Sequence, residues 1–316
     1  VGSADARFPL IDELLPADLN VARLAARRKL FQPSSEGEER VVPSHRSVAE
    51  YLAARWLAQQ IDHRGLPLRR VMNLFIGRDE RSVAGLRGLY GWLALHCQAA
   101  RPRLIEADPV TVVVYGDAKP MSSADKRKLL AGLQQEAKQH LAFHWEIPSA
   151  TPFGALADRG LVPEFLAILG SSERDDASQS FTRCLMDILE EGEPIPELAP
   201  SIKAVVVDDS RWGGIRRHAL GVWLKSSPPI KESMALLDAI NDQQISDSDD
   251  DLAGKLLSSL YPDRIGPDVL LRYLHAPKKR DYIGKHSMFW GYELARIAPD
   301  AHLPILLDQL AARSDL

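Results

Sequence analysis

Leu185, Leu220, Leu256 and Leu294 are separated by 35, 36 and 38 residues, and each sits in a short segment with apolar residues three or four positions away. That spacing places the apolar side chains on one stripe of a helix. The four segments run Phe181–Leu189, Arg217–Leu224, Ala253–Leu260 and Phe289–Ala298. Each is followed by a second apolar segment led by a proline: Pro196, Pro229, Pro267 and Pro304. Proline suits the first helical turn, where its missing N–H would have no partner anyway. Two helices every 35–40 residues cannot bury their stripes alone, but stacked pairs can, so the second half of the chain reads as a helical-repeat solenoid.

Within the second of these units, Asp208-Asp209-Ser-Arg-Trp212-Gly-Gly-Ile-Arg216-Arg-His-Ala219-Leu220 resembles the inner helix of HEAT repeats. The residues themselves predict an acid near the positive helix start. They also predict Arg216 reaching a neighbouring repeat, and Ala219 admitting a close helix approach. Trp212, Trp223 and Trp290 are expected in the core of the array.

The first half reads differently. Lys29–Phe31 and Glu39–Val42 flank the turn-rich segment Gln-Pro-Ser-Ser-Glu-Gly-Glu, which predicts a short β-hairpin over residues 29–43. A helix follows, with Ser47 as N-cap and Glu50 completing a capping box. Val110–Tyr115 is strand-like in its β-branched composition, yet Pro109 before it and Gly116 after it fit a helix equally well.

The stretch Ser44-His45-Arg-Ser-Val-Ala-Glu50-Tyr51-Leu52-Ala-Ala54, placed after a hairpin, resembles the end of the winged-helix part of NACHT-type STAND NTPases. The chain departs from that pattern at Pro43 and Val48, where the family usually carries phenylalanine. Asp108-Pro109 and Tyr115-Gly116-Asp117, followed by a leucine-rich helix, are also similar to bacterial members with helical-repeat tails. The resemblance implies a signalling or defence ATPase that oligomerises on activation. In it His45 would contact the ADP phosphate of the closed state, with ATP and ADP held by a core that the motifs in hand do not supply. No G-x-x-x-x-G-K-[ST], G-x-S-x-G, H-E-x-x-H or G-x-G-x-x-G occurs.

The expected class is therefore mostly α: a superhelix of HEAT-like repeats with one N-terminal hairpin. The expected divisions are a winged-helix end over residues 1–60, a helical linker over 61–160 and the repeat array over 161–316. The expected function is non-catalytic, a switch-and-sensor region that binds a protein ligand through its repeats and docks on its own NTPase core. The alternative is a free-standing repeat scaffold.

A remote alternative is a metal-dependent enzyme. Glu136, His140 and His144 stand at i, i+4 and i+8, a spacing that would put three metal-capable groups on one helix face. The bland reading makes them the wet side of a surface helix, and no metal site or cofactor is expected in the chain. The acidic run Ser246–Leu252 lacks the glycine and glutamate of a calcium loop and is expected to stabilise a helix start. Lys278-Lys279-Arg280 with Lys285 is either a solvated loop or a basic patch for an acidic partner.

Net charge is −4, with +5 over residues 1–103 and −9 over the remainder, so nucleic acid and anionic membranes are not expected partners. Two cysteines far apart, Cys97 and Cys184, and no secretory pattern make the expected location cytoplasmic.

Overall fold

The computed structural model describes residues 18–26, 31–34, 37–78, 80–144, 151–279 and 281–313. Helices hold 67% of it, against one antiparallel hairpin, so the chain is a mostly α helical-repeat protein. It divides into two compact units, Val1–Gly132 and Leu133–Leu316. Among the described residues no helix is long and apolar enough to cross a membrane.

In the first unit, helix α1 (Leu19–Ala26) precedes strands β1 (Phe31–Ser34) and β2 (Gly37–Pro43). They pair in the register Phe31↔Pro43, Gln32↔Val42 and Pro33↔Val41, the predicted hairpin. Helices α2 (Arg46–Arg64), α3 (Leu68–Phe75), α4 (Arg87–His96), α5 (Arg101–Ala107) and α6 (Pro109–Tyr115) follow, and α7 (Ser123–Gln139) runs across the division between the units. Helix α2 ends at Gly65, whose φ of 69° only glycine adopts without strain.

Helix α4 lies at the centre of this unit, with Tyr90, Leu93 and Ala94 fully buried. A Cβ on its Gly91 would stand 2.5 Å from the backbone nitrogen of Gly116, so α4 and the end of α6 touch backbone to backbone. The ambiguity at Val110–Tyr115 resolves as helix α6 because the start is strongly specified. The buried Asp108 carboxylate accepts from the Thr111 N–H at 2.8 Å and from the Ser82 hydroxyl at 2.5 Å, and Pro109 opens the first turn. A satisfied N-cap outweighs the modest helix penalty of a β-branched run.

In the second unit, α8 (Val162–Leu169) precedes four leucine-bearing helical stretches at the predicted spacing, each followed in the chain by a second helix. They are α9 (Asp176–Glu191) with α10 (Ala199–Val207), α11 (Gly213–Lys225) with α12 (Ile230–Asn241), and α13 (Asp251–Leu260) with α14 (Pro267–Leu270). The fourth is a rod built from α15 (Lys285–Met288), a π turn (Phe289–Glu293) and α16 (Leu294–Ile297), paired with α17 (Leu303–Ala311). The π turn locally widens the rod just before the fourth leucine.

Leu185, Leu220 and Leu256 are completely buried and Leu294 nearly so. Trp223 joins them in the core, whereas Trp212 and Trp290 are only half-buried. An aspartate replacing Leu220 would place an unpaired charge in this interior. We expect Leu220→Asp to cost about 4–5 kcal/mol or more, most of a typical domain's stability. The check is urea melting of Leu220→Asp beside Leu220→Ala, which should lose about 2–5 kcal/mol.

Candidate interaction surfaces

His45 follows directly on β2 and occupies the N-cap position of α2 with extended backbone, φ −135° and ψ 132°. Its carbonyl accepts from the N–H groups of Val48 and Ala49 at 3.2 and 3.3 Å. Its imidazole makes no capping bond and is exposed. The expected Ser47–Glu50 capping box does not form. The helix starts one residue before Ser47, and Glu50 is engaged elsewhere: Arg46 Nε donates to it at 2.7 Å, while Arg46 Nη2 donates to the Gly85 carbonyl at 2.6 Å. The Glu50 carboxylate also lies over Gly88 of α4, where a Cβ would stand 1.9 Å from it. A charge-assisted pair and a tight helix contact together outcompete the local cap.

Glu136, His140 and His144 do not converge. Helix α7 ends at Gln139, so His140 stands beyond its last turn, exposed, while Glu136 and His144 are buried. The wet-face reading therefore holds for His140 alone. His144 turns towards α9, 3.5 Å from Asp187, and burial pushes its imidazole pKa down to about 3. Among the described residues no group of three or more His, Cys, Asp or Glu side chains is placed to hold a metal ion.

Three carboxylates of the acidic run at the start of α13, Asp247, Asp250 and Asp251, are buried. Asp247 accepts from the Leu252 and Ala253 N–H groups at 3.2 and 2.8 Å and so caps the helix, as the expected helix-start role requires. Asp250 and Asp251 instead hold the segment that precedes α15. Asp250 receives the Lys278 N–H at 2.8 Å, with the Lys278 ammonium also at 2.8 Å. Asp251 receives the Lys285 N–H at 2.6 Å, the Tyr282 hydroxyl at 2.9 Å and the guanidinium of Arg217. Desolvation alone would raise the Asp251 pKa, but these donors together bring it below the usual carboxylate value. The basic patch is thus partly spent inside the molecule: Lys278 is an anchor, and Arg280 lies outside the described residues.

Hydrogen bonds join each repeat to the next along the first helices of the pairs. Glu190 on α9 binds His218 on α11 at 2.5 Å, Arg217 on α11 binds Asp251 on α13, and Ser258 on α13 donates to Glu293 of the fourth rod at 2.8 Å. Arg216 behaves as the HEAT-like pattern predicts, donating to the Val206 carbonyl of the preceding pair at 2.8 Å. Asp208 does not sit at a helix start. It binds Arg174 at 2.5 Å and Arg211 at 3.2 Å, locking the turn before α11. Arg211, buried and donating to the Leu169 carbonyl at 2.9 Å, was not anticipated from sequence. Arginine immediately before a helix cap carries no local signal.

Compared with known proteins, the chain matches no family model, no curated protein and no solved structure.

His286, at 1% exposure, stacks on His275 with ring centroids 4.5 Å apart, and burial together with His275 depresses its pKa to about 4. A histidine held neutral in the fold takes up a proton on unfolding at any pH between the two pKa values. Stability should therefore fall as pH drops from about 6.5 towards 4, by about 3 kcal/mol for this residue. Urea titrations across that window should show the slope, and His286→Gln should reduce it by about that amount, leaving the part that the buried His144 contributes. A slope unchanged in His286→Gln would contradict the assignment.

Proposed function

We propose that the chain is a non-catalytic switch-and-sensor region of a bacterial NACHT-type STAND NTPase, with its repeats offered to a protein ligand. Two features support the reading. The His45 imidazole is exposed at the junction of hairpin and helix, and the backbone carbonyl alone does the capping. A solenoid supplies an extended surface suited to a large partner. Nothing in the chain's own motifs supplies a phosphate-binding loop, so the nucleotide would be held by a core outside these residues. The parent would be a signalling or defence ATPase that oligomerises on activation. His45 would donate to the phosphate of bound ADP in the closed state only, and an interaction made in one state only is what shifts a population.

The observation that carries this proposal is the uncapping, exposed imidazole of His45. A charge-assisted hydrogen bond is worth roughly 1.5–3 kcal/mol. In a parent protein carrying the nucleotide core, His45→Ala should therefore weaken ADP retention by about ten- to a hundredfold and raise oligomer size. Equilibrium dialysis with labelled ADP and light scattering are the measurements. Unchanged retention and an unchanged monomer would remove the switch role and leave the free-standing scaffold as the better reading.

A further inference from the structure

Lys255 on α13 is half-buried, and among the described residues its ammonium has no hydrogen bond and no ion pair. Its Nζ rests over α11 at Gly221, where a Cβ would stand 2.3 Å from it, so the glycine leaves the room that the ammonium fills. Two more cations gather beside it. Arg217 stands one turn before Gly221 on α11. Lys285 begins the fourth rod, its N–H tied to Asp251 and its exposed ammonium likewise without a partner. Burial draws the Lys255 pKa below the usual lysine value, and Lys285 and Arg217 add to the shift against the pull of Glu190 and Asp251. Those acids are already engaged, Glu190 with His218 at 2.5 Å and Asp251 with Arg217, Tyr282 and the Lys285 N–H. A charge withdrawn from water without a partner is costly. The third repeat has the second and the fourth packed on either side of it, so the lack at Lys255 owes nothing to what adjoins the fourth.

We propose that Lys255 and Lys285 hold a phosphomonoester, free or on a phosphorylated side chain, at the seam of the second, third and fourth repeats. The inference goes beyond the function proposed above and rests on the second unit alone. Charge sets the class of ligand. Asp251 meets the charge of Arg217, which leaves two unmatched ammonium groups. A phosphomonoester carries about −1.5 to −2 near neutral pH and matches both. A carboxylate or a sulfate ester brings one negative charge and leaves one ammonium unmatched. Lysine suits the task because it meets phosphate as a point charge on a flexible stem, with no fixed fork to align. The half-buried setting strengthens the attraction, since charges interact more strongly where water is partly excluded. Of the basic residues around the fourth repeat's start, Lys278 serves the fold and Lys285 serves the site.

Isothermal titration calorimetry of the 316-residue chain compares phenyl phosphate with phenyl sulfate, which has the same shape and a single charge. At about pH 7.5 the phosphate should bind about tenfold or more tighter, and the advantage should shrink towards about pH 5, where the second phosphate proton returns. Lys255→Met and Lys285→Gln should each weaken phenyl phosphate about tenfold or more. Gly221→Ala removes no charge but takes the space of the ammonium, and should weaken it too. Without ligand, Lys255→Met should melt at or above the wild-type temperature, since it removes an unmatched charge. Lys285→Gln, at an exposed position, keeps the test decisive if Lys255→Met fails to fold. A phosphoserine peptide and its unphosphorylated twin separate the two sources. Phosphopeptide binding tighter than phenyl phosphate identifies a phosphorylated side chain, and equal or weaker binding identifies a free phosphate ester. No binding of either phosphate, equal affinity for phosphate and sulfate, or affinity unchanged in the lysine variants would overturn the proposal. No nucleotide enters the assay, so its outcome is independent of the His45 experiment.

Discussion

Each pair of helices in the second unit has one leucine stripe that it cannot cover by itself, and everything else in that unit follows from covering it with the next pair. Leu185, Leu220 and Leu256 are completely buried, and the helices that carry them lie against one another in turn, α9 on α11, α11 on α13 and α13 on the fourth rod. Nearest-neighbour burial of this kind makes an array approximately one-dimensional in its energetics. The polar links then have a secondary task. Glu190–His218, Arg217–Asp251 and Ser258–Glu293 cross from repeat to repeat and fix the angle at which the stripes meet. The partly exposed Glu190–His218 pair adds little net stability, whereas the buried Asp251 carboxylate needs its arginine partner.

The segment between α14 and α15 shows the opposite balance. It has almost no regular structure and is held by side chains: the buried Asp250 and Asp251 carboxylates receive two backbone N–H groups, a lysine, a tyrosine and an arginine. A buried carboxylate is costly unless fully hydrogen-bonded, and here each one is met by several donors. That arrangement brings Lys285 to the start of the fourth rod and the His286 backbone against Gly254, which sets how the last repeat sits on the third.

Much of this was legible in the sequence because period and punctuation are local signals. The leucine spacing marked all four pairs, the prolines marked the second helices, and Gln-Pro-Ser-Ser-Glu-Gly-Glu marked the hairpin. The failures share a physical cause, competition from partners that the local pattern does not reveal. Glu50 looked like half of a capping box but is drawn to Arg46 and packed over Gly88. Glu136, His140 and His144 had ligand spacing, but the helix stops at Gln139 and Asp187, from another helix, claims the space beside His144. The acidic run was expected to stabilise a helix start, and Asp247 does so, but local sequence gave no sign that Asp250 and Asp251 also anchor a segment some thirty residues away. At His45 the sequence supplied a residue and a resemblance, and only the geometry separated the capping carbonyl from the exposed imidazole.

Native-state hydrogen exchange followed by mass spectrometry tests most directly the claim that the repeats are stabilised by their neighbours. Local opening free energies track how much apolar surface each element shares with others. Amides in α11 and α13, covered on both sides by adjoining repeats, should exchange slowest, and those of the π-containing fourth rod and α17 should exchange fastest within the array. Equal protection from the first repeat to the fourth would contradict the account.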